Sequence, residues 1–291
     1  MHSSIKKVAA IHDLSGYGRA ALTAIIPTLS TMGIQVCPLP TAILSNHTGG
    51  FNCHSYVDLT DSMEDYIEAW KKNGFSFECI YTGFLGSTRQ IDIVSDFIDY
   101  FGNEENLVVV DPVMGDNGRL YSSFDEDIIP RMRKLAAKAD LLTPNYTEAA
   151  FLLGEEEKPE AFDDEEAKRW LRKLSDLGPE IVVITSAPNP ENEENTCVAA
   201  YDRGTGRFWK AGCKYIPASY PGTGDTFTSV VIGSLLNGDS LPVALDRATQ
   251  FISQCIKASY GFDEPKRNGV LLERELGILN MPVMIGGYET F

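Results

Sequence analysis

The chain has 291 residues, 43% of them hydrophobic, with 41 acidic against 25 basic residues and a net charge of −16. That apolar content excludes a disordered chain, a collagen and a disulfide mini-protein. The acidic balance weighs against nucleic acid or an anionic membrane surface as a partner.

Val8–His12 is a short apolar run before a glycine-rich turn, which predicts a buried strand. Arg19–Met32 has helical spacing and stops at Gly33, and Ile34–Leu39 is a second strand. Residues 41–56 are polar, without a clean period, and read as loop, with short strands as the alternative. Ser62–Lys72 reads as a helix with Ser62 as its cap, Phe77–Thr82 as a strand, and Ser87–Phe101 as a helix. Leu107–Asp111 is a β-branched strand, Asp125–Lys138 a helix, and Leu141–Thr143 a short strand running into Pro144. Helices are expected over Thr147–Leu153 and Glu165–Asp176, a strand over Ile181–Thr185, and a hairpin over Cys197–Trp209 around Gly204 and Gly206. Thr226–Leu236, Pro242–Tyr260 and Leu271–Leu276 close the chain as helices.

Strands alternating with helices predict an α/β fold whose mostly parallel sheet carries helices on both faces. No linker or composition break divides residues 1–291, so a single domain is expected. Glu155–Glu166 holds eight acids and one lysine, and Glu191, Glu193 and Glu194 form a smaller acidic run; both read as solvated surface. The six cysteines form no C-x-x-C pair, so neither a zinc site nor a disulfide framework is expected. The first residues are too weakly apolar for a signal peptide, and no apolar run is long enough for a membrane span, so the cytosol is the expected compartment.

In such folds ligands sit beyond the carboxyl ends of the strands. There the chain places Asp13, Thr82-Gly83-Phe84, Asp111 to Asp116, Thr143-Pro144-Asn145 with Glu148, and Thr185-Ser186. Pro221-Gly222-Thr223-Gly224-Asp225 opens an apolar helix. Its glycines and helix N-terminus can form an anion hole, and Asp225 beside it suits a base that accepts a hydroxyl proton. The alternative is that Thr223 or Asp225 only caps the helix. Asp111, Asp116 and Glu148 suit Mg²⁺ held through water and substrate phosphates, with helix capping as the other account. Gly16-Tyr17-Gly18-Arg19-Ala20-Ala21 fits a dinucleotide pattern, but the second strand lacks the acid that would bind the ribose. His47 reads as a loop or pocket residue rather than a zinc ligand, and there is no P-loop.

Together, Ser45-Asn46-His47-Thr48-Gly49, Thr82-Gly83-Phe84, Asp111-Pro112-Val113-Met114-Gly115-Asp116, Thr143-Pro144-Asn145 with Glu148, Ile184-Thr185-Ser186 and Gly222-Thr223-Gly224-Asp225 resemble the ribokinase-like superfamily. Within it the chain resembles the pyridoxal kinases, from Ile11 to about Leu272. The resemblance implies ATP-dependent phosphorylation of the 5′-hydroxymethyl group of pyridoxal, pyridoxine or pyridoxamine. By resemblance, Asp225 is the base, and the amides of Gly222, Thr223 and Gly224 hold the transferring phosphate. Asp116 and Glu148 position Mg²⁺, partly through water. Asp111, Thr143 and Thr185 match a monovalent-cation site, such as one for K⁺. Asn145, Thr185 and Ser186 match nucleotide-phosphate contacts, with Glu148 nearby, and Ile216 and Tyr220 lie where the adenine is covered. Thr48 and Phe84 fall in the vitamer pocket. Asp13 stands where many pyridoxal kinases have serine, and it could bond the substrate ring or act as a turn cap. The family is commonly homodimeric. A hydroxymethylpyrimidine kinase and a non-catalytic B6-binding protein are the alternatives.

Overall fold

The computed structural model describes residues 5–188, 195–214, 220–283 and 286–291. In chain order the elements are β1 (Lys7–Ser15), α1 (Leu22–Thr31), β2 (Gln35–Leu44), β3 (Tyr56–Asp58), α2 (Thr60–Lys72), β4 (Cys79–Thr82), α3 (Thr88–Phe101), β5 (Leu107–Val110), β6 (Gly115–Asp116), β7 (Arg119–Leu120), α4 (Ile128–Ala136), β8 (Leu141–Leu142), α5 (Tyr146–Leu153), α6 (Asp164–Ser175), β9 (Ile181–Ala187), β10 (Asn195–Asp202), β11 (Arg207–Lys214), α7 (Thr223–Leu236), α8 (Leu241–Tyr260), α9 (Leu272–Glu275) and β12 (Tyr288–Thr290). The fold class is the expected α/β. The chain clusters into two compact units, Met1–Ile80 with Ile216–Gly286, and Tyr81–Tyr215 with Gly287–Phe291.

In the first unit β1 pairs in parallel with β2, and β2 pairs antiparallel with β3 over Ala42–Leu44. Val8, Ala9, Ala10 and Ile11 are fully buried, as are Ile25 and Leu29 of α1 and Val230–Ile232 of α7. Burying an apolar strand together with apolar helix faces accounts for that core. β1 runs on past the expected His12 to Ser15, and its register against β2 slips between His12 and Leu14. The 41–56 segment carries strand at both ends, the alternative its sequence left open: it begins as the end of β2 and closes into β3. Ser62 does not cap α2. The N-cap is Leu59, with no side-chain cap, and Asp58 Oδ1 just before it accepts from the Thr60 amide at 2.8 Å. Helix α1 begins at Leu22 rather than Arg19, because Ala21 takes a positive φ of 50°.

In the second unit β5, β8 and β9 pair in parallel, and β9, β10, β11 and β12 continue antiparallel. The core packs Val109, Val110, Leu141, Leu142 and Val182–Ile184 with Phe97, Met132, Trp170 and Leu171. Ser87 caps α3, accepting from the Gln90 amide. The acidic run is more than solvated surface. Asp163 caps α6, Glu155 binds Arg169 and Lys173, and Glu166 accepts from Arg169 and from the Trp170 indole. Glu191, Glu193 and Glu194 lie outside the described residues.

Candidate active site

The carboxyl end of β1 delivers three buried polar residues, His12, Asp13 and Ser15. The Ser15 hydroxyl donates to Asp13 Oδ2 at 2.9 Å. Burial pushes the Asp13 carboxyl up to about 6, against the Ser15 bond and with help from the negative charge of Asp225.

Asp225 sits in the first turn of α7. Gly222 is the N-cap, with φ 79°, and no side chain caps this helix. A Cβ on Gly222 would lie 2.0 Å from the Arg19 carbonyl oxygen, so only glycine lets the two segments approach this closely. The first-turn amides of α7 therefore keep their donors for an anion. Neither Thr223 nor Asp225 acts as the cap: Thr223 Oγ1 donates to the Tyr220 carbonyl at 3.0 Å, and Asp225 Oδ2 accepts from the Ala21 amide at 2.8 Å. Asp225 Oδ1 lies 3.9 Å from His12 Nδ1, and 17% of the Asp225 side chain is exposed. Burial raises its carboxyl above the ordinary aspartate range and the Ala21 amide opposes the rise. The result is a carboxylate with one oxygen anchored, beside uncapped helix amides. Such an arrangement is able to take up a proton beside an anion.

The 45–51 segment belongs to the same unit. His47 is a loop anchor. Its Nδ1 accepts from the Gly49 amide at 3.1 Å and its Nε2 lies 2.7 Å from the Arg267 carbonyl, which assigns a neutral ring with the proton on Nε2. Burial holds its pKa down, in keeping with that state. Thr48 is exposed, and Tyr220 is buried. Ile216 lies outside the described residues.

The second unit gathers the remaining candidates at adjacent strand ends. Asp111 follows β5 and Thr143 follows β8, directly beyond the paired Val110 and Leu142. Both are buried. Thr185, in β9, bridges to Asn145, and its amide donates to the Pro144 carbonyl at 2.9 Å. Ser186, exposed, takes a positive φ of 53°. Asn145 caps α5 in a reciprocal box with Glu148: Asn145 Oδ1 accepts from the Glu148 amide at 2.9 Å, and Glu148 Oε2 accepts from the Asn145 amide at 2.8 Å. Asn145 Nδ2 donates to the Gly115 carbonyl at 2.9 Å, and Glu148 Oε1 accepts from the Met114 amide at 3.2 Å. Glu148 is 3% exposed. Burial pushes its carboxyl up to about 8, against its backbone bonds.

Asp116 is exposed, with Oδ1 accepting from the Asn117 amide at 2.8 Å. Among the described residues no three acid, histidine or cysteine side chains stand together as a ready metal cage. A cation bound here would rely on water and phosphate oxygens, as Mg²⁺ commonly does. Phe84 packs 5.5 Å from the Phe124 ring. The sequence reading did not select His12 or Ala21, which lie against Asp225. The available signal for His12 was its place beside Asp13 at the end of a buried strand. Nothing in the composition marks Ala21, whose backbone does the work.

The phosphomethylpyrimidine kinase family matches residues 10–269. The chain belongs to that family. It also groups with pyridoxal kinases: the Arabidopsis thaliana pyridoxal kinase is 30% identical over 267 residues, covering 89% of this chain and 82% of the relative. The pyridoxal kinase of Lactobacillus plantarum is 30% identical with a TM-score of 0.85, over 95% of this kinase and 97% of that chain. A Bacteroides thetaiotaomicron protein assigned as a phosphomethylpyrimidine kinase, in a crystal form with pyridoxal, is 56% identical with a TM-score of 0.95, over 99% and 100% of the two chains. The kinase is therefore an ATP-using phosphotransferase. No helix among its described residues is long and apolar enough to cross a membrane.

Proposed function

We propose that this kinase transfers the γ-phosphoryl group of ATP to the 5′-hydroxymethyl group of a vitamin B6 vitamer, pyridoxal, pyridoxamine or pyridoxine, giving the 5′-phosphate and ADP. The observation that carries the reading is Asp225: one oxygen anchored by the Ala21 amide, at the uncapped start of α7. The substrate hydroxyl gives its proton to Asp225 as its oxygen attacks the γ-phosphorus, and the bond to the bridging oxygen of ADP breaks. The first-turn amides at Thr223 and Gly224, past the Gly222 cap, take the charge on the transferring group.

Asp13, with its raised carboxyl, bonds the ring of the vitamer, and Thr48 and Phe84 contact the substrate. Asn145, Thr185, Ser186 and Tyr220 serve the nucleotide. Asp116 has one oxygen clear of backbone bonds, whereas both oxygens of Glu148 accept backbone amides. This donor set fits Mg²⁺ held by Asp116 and, through water, by Glu148. The ion would neutralise phosphate charge. Asp111, Thr143 and Thr185 offer oxygens of the kind a monovalent cation such as K⁺ takes. We read residues 1–291 as one kinase domain, homodimeric and cytosolic.

The second reading is a hydroxymethylpyrimidine kinase, favoured by the family that matches residues 10–269. The B6 reading is supported by the 56% identical relative, which was crystallised with pyridoxal. A coupled ADP-release assay with Mg·ATP and each vitamer, and with hydroxymethylpyrimidine, tests both. Turnover on the vitamers is expected. Turnover on hydroxymethylpyrimidine alone moves the substrate to the second reading. Vitamer binding without turnover makes the chain a B6-binding protein.

A further inference from the structure

Asp225 has a different neighbour at each oxygen. Oδ2 accepts the Ala21 amide, and Oδ1 faces the imidazole of His12, with Nδ1 at 3.9 Å. We propose that His12 is a positioning residue for phosphoryl transfer, acting through Asp225. The inference rests on reading Asp225 as the base.

His12 ends the apolar run of β1 and is fully buried. Taking an imidazole out of water is costly, so a fully buried one calls for polar neighbours, and Asp225 is one. The strand is built to aim it. The register of β1 against β2 holds from Lys7 to His12 and then slips before Leu14. An irregularity of this kind redirects side chains that strict alternation would send to opposite faces. Consecutive residues can then both serve one site, and Asp13 indeed feels the charge of Asp225.

The other anchor is built with equal care. Ala21 has φ 50° and ψ −134°, a conformation that L-residues rarely adopt. Strain of this kind persists only where the surroundings over-determine it, and here it turns an amide onto the base. A carboxylate tied at one oxygen can still swing the other. When the 3.9 Å approach of Nδ1 to Oδ1 tightens to a hydrogen bond in the substrate complex, the imidazole fixes the plane in which the hydroxyl proton is met, and small misalignments of reacting groups are expensive. His12 exchanges no atoms: the proton goes from the hydroxyl to Asp225, and the bonds made and broken are those of the phosphoryl transfer.

The test measures kcat and KM for pyridoxal and ATP on the full chain, for His12→Leu, His12→Asn, Asp225→Asn and the double variant His12→Leu/Asp225→Asn. His12→Leu is expected to lower kcat about tenfold with both KM values within about twofold. Asparagine can place an amide near the Nδ1 position, so His12→Asn is expected to restore most of the rate. In the Asp225→Asn background, His12→Leu is expected to add no further loss. Unchanged kcat in His12→Leu, or the same loss in both backgrounds, overturns the proposal while leaving the base in place. Full turnover by Asp225→Asn overturns the base reading and this proposal with it. If His12→Leu does not fold, His12→Gln replaces it. Gln carries its amide out toward the Nε2 position, and activity equal to His12→Asn would overturn the role of Nδ1.

Discussion

Asp225 and Glu148 are both acids at the third residue of a helix, one in each unit, and the chain uses them in opposite ways. Glu148 follows Asn145, whose side chain returns the hydrogen bond. Both Glu148 oxygens end on backbone amides, locking α5 to the Met114–Gly115 turn. Asp225 follows Gly222, which has no side chain to reciprocate. Its second oxygen, on the side of His12, and the uncapped amides beside it are what the proposed phosphoryl transfer needs. One residue, the N-cap, therefore separates a carboxylate spent on architecture from one left available for the proposed reaction.

The hardest test of that contrast is Asp225→Asn. It keeps the shape and removes the base, so turnover in the ADP-release assay is expected to fall about a thousandfold or more, with pyridoxal and ATP binding by calorimetry kept within a few-fold. Unchanged turnover would make the two acids alike after all. Gly222→Ala comes next. The added Cβ meets the Arg19 carbonyl at 2.0 Å, displacing the turn that brings the Ala21 amide to Asp225. A loss of about 2–4 kcal/mol in stability and about a hundredfold in kcat is expected. A Cβ on Gly224 meets nothing within 4 Å, so Gly224→Ala is expected to melt with the parent protein.

Glu148→Gln probes the architectural acid. One of its two backbone bonds loses its acceptor in a buried setting, at about 1–3 kcal/mol, and losing an acid that burial raises to about 8 offsets part of it, so a net cost of about 1 kcal/mol is expected in denaturant unfolding near pH 7. The same variant should need more Mg²⁺ for half-maximal rate. Asp116, exposed, separates the two effects: Asp116→Ala is expected to raise the Mg²⁺ requirement and leave the melting temperature unchanged. Matched stability losses in the two variants would show that Asp116 also holds the fold.

Much of this was legible. The α/β class followed from alternating apolar runs, and the Asn145–Glu148 box is a local pattern that needs no tertiary knowledge. Asp225 was legible only as a choice between base and cap, because spacing does not show that Ala21, some 200 residues away, supplies its partner. β2 runs past the expected Leu39 to Leu44, through Pro38 and Pro40, which are unusual inside a sheet. Both are tolerated where β3 pairs with β2 only from Ala42 onward. His12 has no metal-ligand spacing, so its place beside Asp13 is its one mark in the sequence, and the strand irregularity that aims it leaves none.

Asp13 offers the gentlest perturbation and a sign that can be worked out beforehand. Its carboxyl rises from 3.8 to about 6 on folding. Between those values the folded chain holds a proton that the unfolded chain has released. The stability tied to Asp13 is therefore complete below about pH 4 and is lost as pH rises through 6. The ceiling is about 2–3 kcal/mol, and the observed slope should be nearer 1–2 once the site relaxes. Asp13→Asn keeps an acceptor for the Ser15 hydroxyl but cannot ionise. It should match the parent near pH 4 and exceed it by about 1–2 kcal/mol at pH 8. Parallel stability curves across that range would mean that Asp13 is ionised in the folded state throughout. The acid beside Asp225 would then meet the vitamer as a fixed negative charge, not as a group that titrates near neutrality.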